Sequence, residues 1–129
     1  MTETVGSLTR NHLLRLASVS ALWLALSSIF YFLKIGHENF WFTSGIWAVI
    51  NLVICYFARK PFDGNIDNLL KTLKINHVLN IVYAIIGVAL LFNPETVPRY
   101  TGLAILIQGL QLAILDLILS KQVKNALSN

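Results

Sequence analysis

Four long apolar runs divide this chain, and they constrain its fold more than any other feature. An α-helix rises about 1.5 Å per residue, so about 20 apolar residues cross the roughly 30 Å hydrocarbon core of a bilayer. Only 12% of the residues are charged, whereas soluble domains use roughly 25%, and the mean hydropathy is +0.67. The sequence therefore predicts an all-α membrane protein of one domain with four transmembrane helices, spanning approximately residues 13–33, 39–58, 75–92 and 99–120.

Basic residues are divided unequally between the two sides of these spans. Only Lys34 and Arg99 lie in the first and third connections. The other eight lie near the N-terminus, in the second connection or near the C-terminus: Arg10, Arg15, Arg59, Lys60, Lys71, Lys74, Lys121 and Lys124. Because cytoplasmic loops carry the excess of Lys and Arg, we expect an up-and-down bundle with both termini in the cytoplasm.

The second connection has a helical pattern of its own. In "FDGNIDNLLKTLKIN", Ile66, Leu69, Leu70 and Leu73 follow an i, i+3, i+4, i+7 spacing, which predicts an amphipathic helix over residues 65–74. Asp63 or Asn65 is expected to cap it. Either this segment continues into the third helix, or it lies along the cytoplasmic surface.

Polar side chains interrupt the apolar runs at positions that predict an interhelical cluster, because an unsatisfied amide in hydrocarbon costs several kcal/mol. Asn51 lies about 12 Å inside Arg59 along its helix, and Asn80 about 9 Å inside Lys74, so we expect Asn51 to hydrogen-bond towards the third helix. Of the three histidines, only His77 is expected near the cluster. Arg15 and Asp116 are expected to form an ion pair. The predicted cluster comprises Trp47, Asn51, Asn76, His77, Asn80, Tyr83, Gln108, Gln111 and Asp116.

Three short patterns carry a family resemblance. Helix two contains Gly-x-Trp-x-x-x-Asn at 45–51, and helix three reads "NHVLNIVYAIIG" at 76–87. Helix four contains Gln-Gly-x-x-Leu-x-x-x-Asp at 108–116. The chain thus resembles an uncharacterised family of small bacterial four-helix integral membrane proteins, in which Asp usually stands at the position of Asn80. The resemblance implies a bacterial inner-membrane location and a shared polar set, and it implies no reaction.

Catalysis is not expected from this sequence. We find no nucleophile with a base, no paired carboxylates and no metal-ligand spacing, so we predict no enzyme activity and no cofactor or metal. Nucleic-acid binding is not expected either, because the basic residues flank apolar segments and form no stripe. The preferred interpretation is a membrane scaffold or accessory subunit whose polar cluster joins the helices by hydrogen bonds, and a small ligand held in that cluster is left open. The alternative is a small transporter or channel-forming oligomer that uses the cluster for a substrate, ion or proton. The lipid bilayer is the expected partner, and a second copy or another membrane protein is left open.

Overall fold

The computed structural model describes residues 2–60 and 62–128, and these residues form helices and connections without strands. All four helices are long and apolar enough to cross a membrane. The all-α fold with four such helices is therefore confirmed. The helices are α1 (Thr2–Phe32), α2 (Glu38–Phe57), α3 (Ile66–Leu91) and α4 (Thr96–Ser128).

The connection before α3 is built from local side-chain caps. Asp63 Oδ1 accepts a hydrogen bond from the backbone N–H of Asn65, at 2.9 Å. Asn65 Oδ1 then accepts from the N–H of Asn68 at 2.9 Å and caps the helix. Gly64 has a φ of 86°, which glycine adopts without steric cost. Since α3 runs unbroken from this cap to Leu91, the amphipathic segment is the first part of α3.

Two helices extend well beyond the apolar runs that predict them. α1 begins at Thr2 and α4 ends at Ser128, whereas the runs begin near residue 13 and end near residue 120. The extensions contain no proline, and they bury apolar side chains against one another. Val5 and Val123 are buried there with Leu73 and Leu119, so tertiary packing supports helix where the hydropathy pattern ends.

The four helices do not pack as a closed ring. α1 packs closely with α2 and α3 packs closely with α4, and α4 also contacts both α1 and α2. By contrast, α2 and α3 make almost no close backbone approach. α4 is therefore the central helix of the bundle, and α2 and α3 are separated along most of their length.

Two glycines allow α3 and α4 to pack closely. A Cβ added to Gly87 would lie 2.7 Å from the backbone nitrogen of Leu106 and 2.9 Å from the carbonyl oxygen of Gly102. A Cβ added to Gly102 would lie 2.7 Å from the carbonyl oxygen of Gly87. No side chain fits between these backbones.

The two ends of the bundle differ in character. One end holds the Val5 cluster and the basic residues beside it, and we call it the basic end. At the other end, aromatic rings pack together: Phe30 and Trp41 have centroids 4.7 Å apart, and His37 stacks on Tyr100 at 4.0 Å with an interplanar angle of 7°. Aromatic residues therefore gather at the end opposite to most of the basic residues.

Candidate ligand-binding cavity

A cavity of about 1140 Å³ separates α2 from α3, is lined by residues of all four helices and extends towards the basic end. Ligand pockets in proteins usually measure about 300–1,000 Å³, so this one accommodates a small organic molecule. Most of its wall is apolar. Six members of the predicted polar cluster line it: Trp47, Asn51, Asn76, Asn80, Tyr83 and Asp116.

Helical spacing places these side chains on the cavity wall. Trp47, Asn51 and Cys55 recur every four residues along α2, which puts them on one face of that helix. Asn76 and Asn80 have the same spacing on α3. All five line the cavity, and the polar stripes of α2 and α3 therefore face the same space.

The most connected polar group in the cavity wall is the carboxylate of Asp116. Its Oδ2 accepts a hydrogen bond from Nδ2 of Asn80 at 2.7 Å, and its Oδ1 lies 3.3 Å from Nε2 of His12. Asp116 is only 7% exposed. This network joins α1, α3 and α4 through one carboxylate.

The prediction that Arg15 and Asp116 form an ion pair is wrong. Nη2 of Arg15 instead donates to Oε1 of Gln122 at 3.4 Å, while His12 is the partner of Asp116 from α1. His12 and Arg15 are three positions apart and lie on neighbouring parts of one face of α1. The depth of a residue in the membrane, estimated from its position along the helix, therefore does not decide which of the two meets Asp116. The expectation that only His77 lies near the cluster is also wrong, because His12 is the histidine that lines the cavity.

Asn51 faces the bundle interior, as expected, but it lacks the expected bond to α3. The residue is only 2% exposed, and its Nδ2 is buried with no hydrogen-bond partner among the described residues. Because α2 and α3 make almost no close backbone approach, no amide of α3 lies within reach of it. One turn before Asn51 on α2, Trp47 contacts Tyr83 of α3, and their ring centroids are 5.1 Å apart.

The remaining members of the predicted cluster lie elsewhere. Gln111 accepts a hydrogen bond from the indole Nε1 of Trp23 on α1. Gln108 is 1% exposed, and its Nε2 has no partner within residues 2–60 and 62–128. Neither glutamine lines the cavity, and nor does His77, which is half-buried. The predicted cluster is therefore divided between the cavity and the adjoining core.

The cavity rim at the basic end carries more positive than negative charge. Arg10, Arg59 and Lys60 line it with one carboxylate, that of Glu3. The guanidinium of Arg59 lies 3.9 Å from the centroid of the Tyr56 ring, and its Nη1 donates to the carbonyl oxygen of Tyr56 at 3.1 Å. Tyr56 is itself exposed and does not line the cavity, so this cation–π contact places the guanidinium beside a ring outside the cavity wall.

Other chemistry is limited in the described part of the chain. Within it, no three His, Cys, Asp or Glu side chains come together as a metal site would require. Cys55, the single cysteine, is half-buried in the cavity wall, and its Sγ lies 3.7 Å from the carbonyl oxygen of Leu13. Hydrogen bonding to a ligand is therefore the chemistry that the cavity residues best support.

Compared with models of known protein families, with curated proteins and with solved structures, the chain gives no match. Its relation to the family that it resembles is therefore a prediction. The geometry of the cavity is the basis on which a function is proposed.

Proposed function

We propose that this chain is a non-enzymatic multi-pass membrane protein that binds a small ligand in the cavity between α2 and α3. In this proposal the protein lies in a bacterial inner membrane with both termini in the cytoplasm. The basic end then faces the cytoplasm, and the cavity opens to that side. The family resemblance belongs to the same proposal, and three of the residues that carry it, Trp47, Asn51 and Asp116, line the cavity.

The observation that carries the proposal is the cavity itself, which is large enough for a ligand and has six side chains of the predicted polar cluster in a largely apolar wall. The Asp116 carboxylate, which accepts from Asn80 and lies beside His12, fixes one part of that wall. Nδ2 of Asn51 is buried away from the cavity space and has no partner among the described residues.

A membrane location is supported by the outer surface of the bundle. Large apolar side chains are exposed on all four helices, among them Leu22, Val53, Ile85 and Ile114. In water, contiguous apolar patches rarely exceed a few hundred Å². Lipid is the solvent in which such a surface is stable.

Transport is the second candidate function, and the pair of His12 and Asp116 is the observation that favours it. Ionisable residues within membrane-spanning helices commonly mark ion or proton pathways. Access from the aromatic end would require the contact between Trp47 and Tyr83 to open. No proline lies inside the apolar runs to break a helix there, and we therefore rank ligand binding first.

Mass spectrometry tests the proposal directly. Native spectra of the protein extracted from membranes are expected to show a bound small molecule at stoichiometric occupancy. The variant Ala17→Trp fills the cavity from α1 and should lose this molecule, whereas Gln108→Leu changes a buried amide outside the cavity and should retain it. Equal retention by Ala17→Trp, or spectra of the unaltered protein without any bound molecule, would overturn the proposal.

Cys55 provides an independent test of cavity access. A membrane-impermeant thiol reagent should label it in inverted membrane vesicles and leave it unlabelled in intact spheroplasts. Ala17→Trp should slow the labelling. Labelling from the periplasmic side, or a rate unaffected by Ala17→Trp, would contradict a cavity that opens to the cytoplasm.

A further inference from the structure

We infer that the cavity takes its ligand from the bilayer: it holds an acyl chain of an anionic phospholipid of the cytoplasmic leaflet, which enters between α2 and α3. The inference rests on the proposed function and names the class of its ligand. Three features of the structure carry it: the opening between the two helices, the depth of that opening, and the charge of the end at which it begins.

The cavity is an open cleft and not an enclosed void, and α2 and α3 make almost no close backbone approach beside it. Ile50 and Ile54 of α2 and Leu79 of α3 line the cavity, and all three are exposed. Val53 and Val78, on the same two helices, are exposed without lining it. The apolar wall of the cavity is therefore continuous with the apolar outer surface of the bundle, and a hydrocarbon chain passes from one to the other without crossing a polar barrier.

The depth of the cavity matches one leaflet of a bilayer. On α2, the lining residues begin at Trp47, and the helix ends at Phe57, a separation of about 15 Å along the helix axis. The hydrocarbon core of a bilayer is about 30 Å thick, so one leaflet contributes about half of it. At the inner limit of the cavity, the contact of Trp47 with Tyr83 bridges α2 and α3. An acyl chain of the leaflet at the basic end therefore fits along the cavity.

The polar groups deep in the cavity are compatible with an acyl chain because the protein itself engages them. One oxygen of the Asp116 carboxylate accepts from Asn80, and the other lies beside His12. Nδ2 of Asn51 is buried away from the cavity space. Most of the remaining wall is apolar. A hydrocarbon chain thus lies along this wall without breaking a hydrogen bond of the protein, and the water that it displaces makes its burial favourable.

The basic end favours an anionic headgroup over a zwitterionic one. The eight Lys and Arg residues of this end oppose three exposed carboxylates, those of Glu3, Asp63 and Asp67. Arg10 and Lys60 lie on the cavity rim itself. Each Lys or Arg near an anionic membrane surface strengthens the attraction about fivefold, so a phosphate headgroup with net negative charge is bound where the acyl chain enters.

Photo-crosslinking from the lipid locates the chain. The whole protein is reconstituted in nanodiscs with a phosphatidylglycerol that carries a diazirine at the end of one acyl chain, and mass spectrometry maps the crosslinked residues. Leu112 of α4 lines the cavity, whereas Ile85 of α3 is exposed outside it. The two lie at similar depths, because Gly109 packs against Tyr83. We expect crosslinks at both residues, and Ala17→Trp should abolish those at Leu112 and leave those at Ile85 unchanged.

Competition between two lipids tests the headgroup. Native mass spectra are recorded for protein extracted from nanodiscs of equal amounts of phosphatidylglycerol and phosphatidylcholine. We expect phosphatidylglycerol to be retained over phosphatidylcholine by about fivefold or more, the effect of one cation near the lipid. Arg10→Gln together with Lys60→Gln should abolish this preference. Lys121→Gln together with Lys124→Gln is the matched control and should keep it, because these two cations lie at the same end and do not line the cavity.

Crosslinks at Ile85 without any at Leu112, or retention of the two lipids in equal amounts, would overturn the inference. An equal loss of the preference in the two double variants would do the same. Failure of the inference is distinguishable from failure of the proposed function. A water-soluble molecule in the native mass spectra of protein from membranes, lost in Ala17→Trp, would refute the lipid and leave cavity binding supported. Spectra without any bound molecule, together with no crosslink at Leu112, would refute both.

Discussion

Asn80 donates a hydrogen bond of 2.7 Å from its Nδ2 to Oδ2 of Asp116 across the interface between α3 and α4. The two residues are 5% and 7% exposed, respectively. His12 approaches the other oxygen of the same carboxylate from α1. One wall of the cavity is therefore fixed by bonds within the protein, while Nδ2 of Asn51 on the facing helix is buried without a partner among the described residues.

The bond between Asn80 and Asp116 should appear as an energetic coupling. In a double-mutant cycle of Asn80→Ala and Asp116→Ala, we expect a coupling of about 0.5–2 kcal/mol, because contacting groups in one network are not additive and membrane-protein hydrogen bonds average about 0.6 kcal/mol. Unfolding by denaturing detergent measures it. Asn76→Ala paired with Asp116→Ala is the control, since no hydrogen bond joins Asn76 to Asp116. Additive single effects at Asn80 and Asp116 would refute the coupling.

His12 should matter more for stability than Arg15. His12→Leu removes one partner of the buried Asp116 carboxylate, and we expect it to cost about 1–3 kcal/mol. Arg15→Leu removes only a long bond to Gln122, and we expect it to cost under about 1 kcal/mol. The same unfolding measurement compares them. A larger loss for Arg15→Leu would restore the ion pair that the sequence suggested.

The glycines between α3 and α4 should not tolerate a methyl group. Gly87→Ala and Gly102→Ala each force two backbones apart, and we expect about 1–3 kcal/mol of destabilisation from overpacking. Gly45→Ala is the control, because its added Cβ would lie at an ordinary 3.5 Å from Cβ of Ser27. Alanine there should be neutral or stabilising by up to about 1 kcal/mol. Equal unfolding midpoints for all three variants would contradict the close approach.

Asn51→Leu should leave the stability of the ligand-free protein unchanged or raise it. Leucine removes an amide whose Nδ2 has no partner in the described structure, so burial of the polar group no longer costs free energy. Asn80→Leu is the matched comparison. It should destabilise the protein, because it removes a hydrogen-bond donor from the buried carboxylate of Asp116. A loss of 1 kcal/mol or more in Asn51→Leu, on the scale of a broken buried hydrogen bond, would show that Asn51 has a protein partner.

Reporter fusions should place both termini in the cytoplasm. Alkaline phosphatase fused after Ser128 should be inactive, and green fluorescent protein at the same point should fluoresce, because most Lys and Arg residues flank the basic end. Phosphatase inserted at Glu95, in the connection between α3 and α4, is the control and should be active. The opposite pattern would invert the orientation and direct the cavity rim away from the cytoplasm.

The sequence by itself determined the number of helices and their apolar composition. The four apolar runs were sufficient for this, because the length and hydropathy of each run are local properties. The positions of polar residues along the helices also predicted that Asn51 faces inward, and they placed Asn80 and Asp116 in one polar cluster. The helix cap at Asn65, one of the two residues that the sequence offered for it, followed from side-chain chemistry within a few residues.

The tertiary structure decided which polar groups meet. Helix periodicity gives the face and depth of a side chain, but it does not give the distance between two helices. The close approach of α3 to α4 depends on Gly102 as well as Gly87, and it brings Asn80 to Asp116. The separation of α2 from α3 keeps the amides of α3 out of reach of Asn51 and leaves room for the cavity. A difference of one turn on α1 makes His12, and not Arg15, the partner of Asp116, because a buried carboxylate pairs with the donor that the packed backbones place within reach.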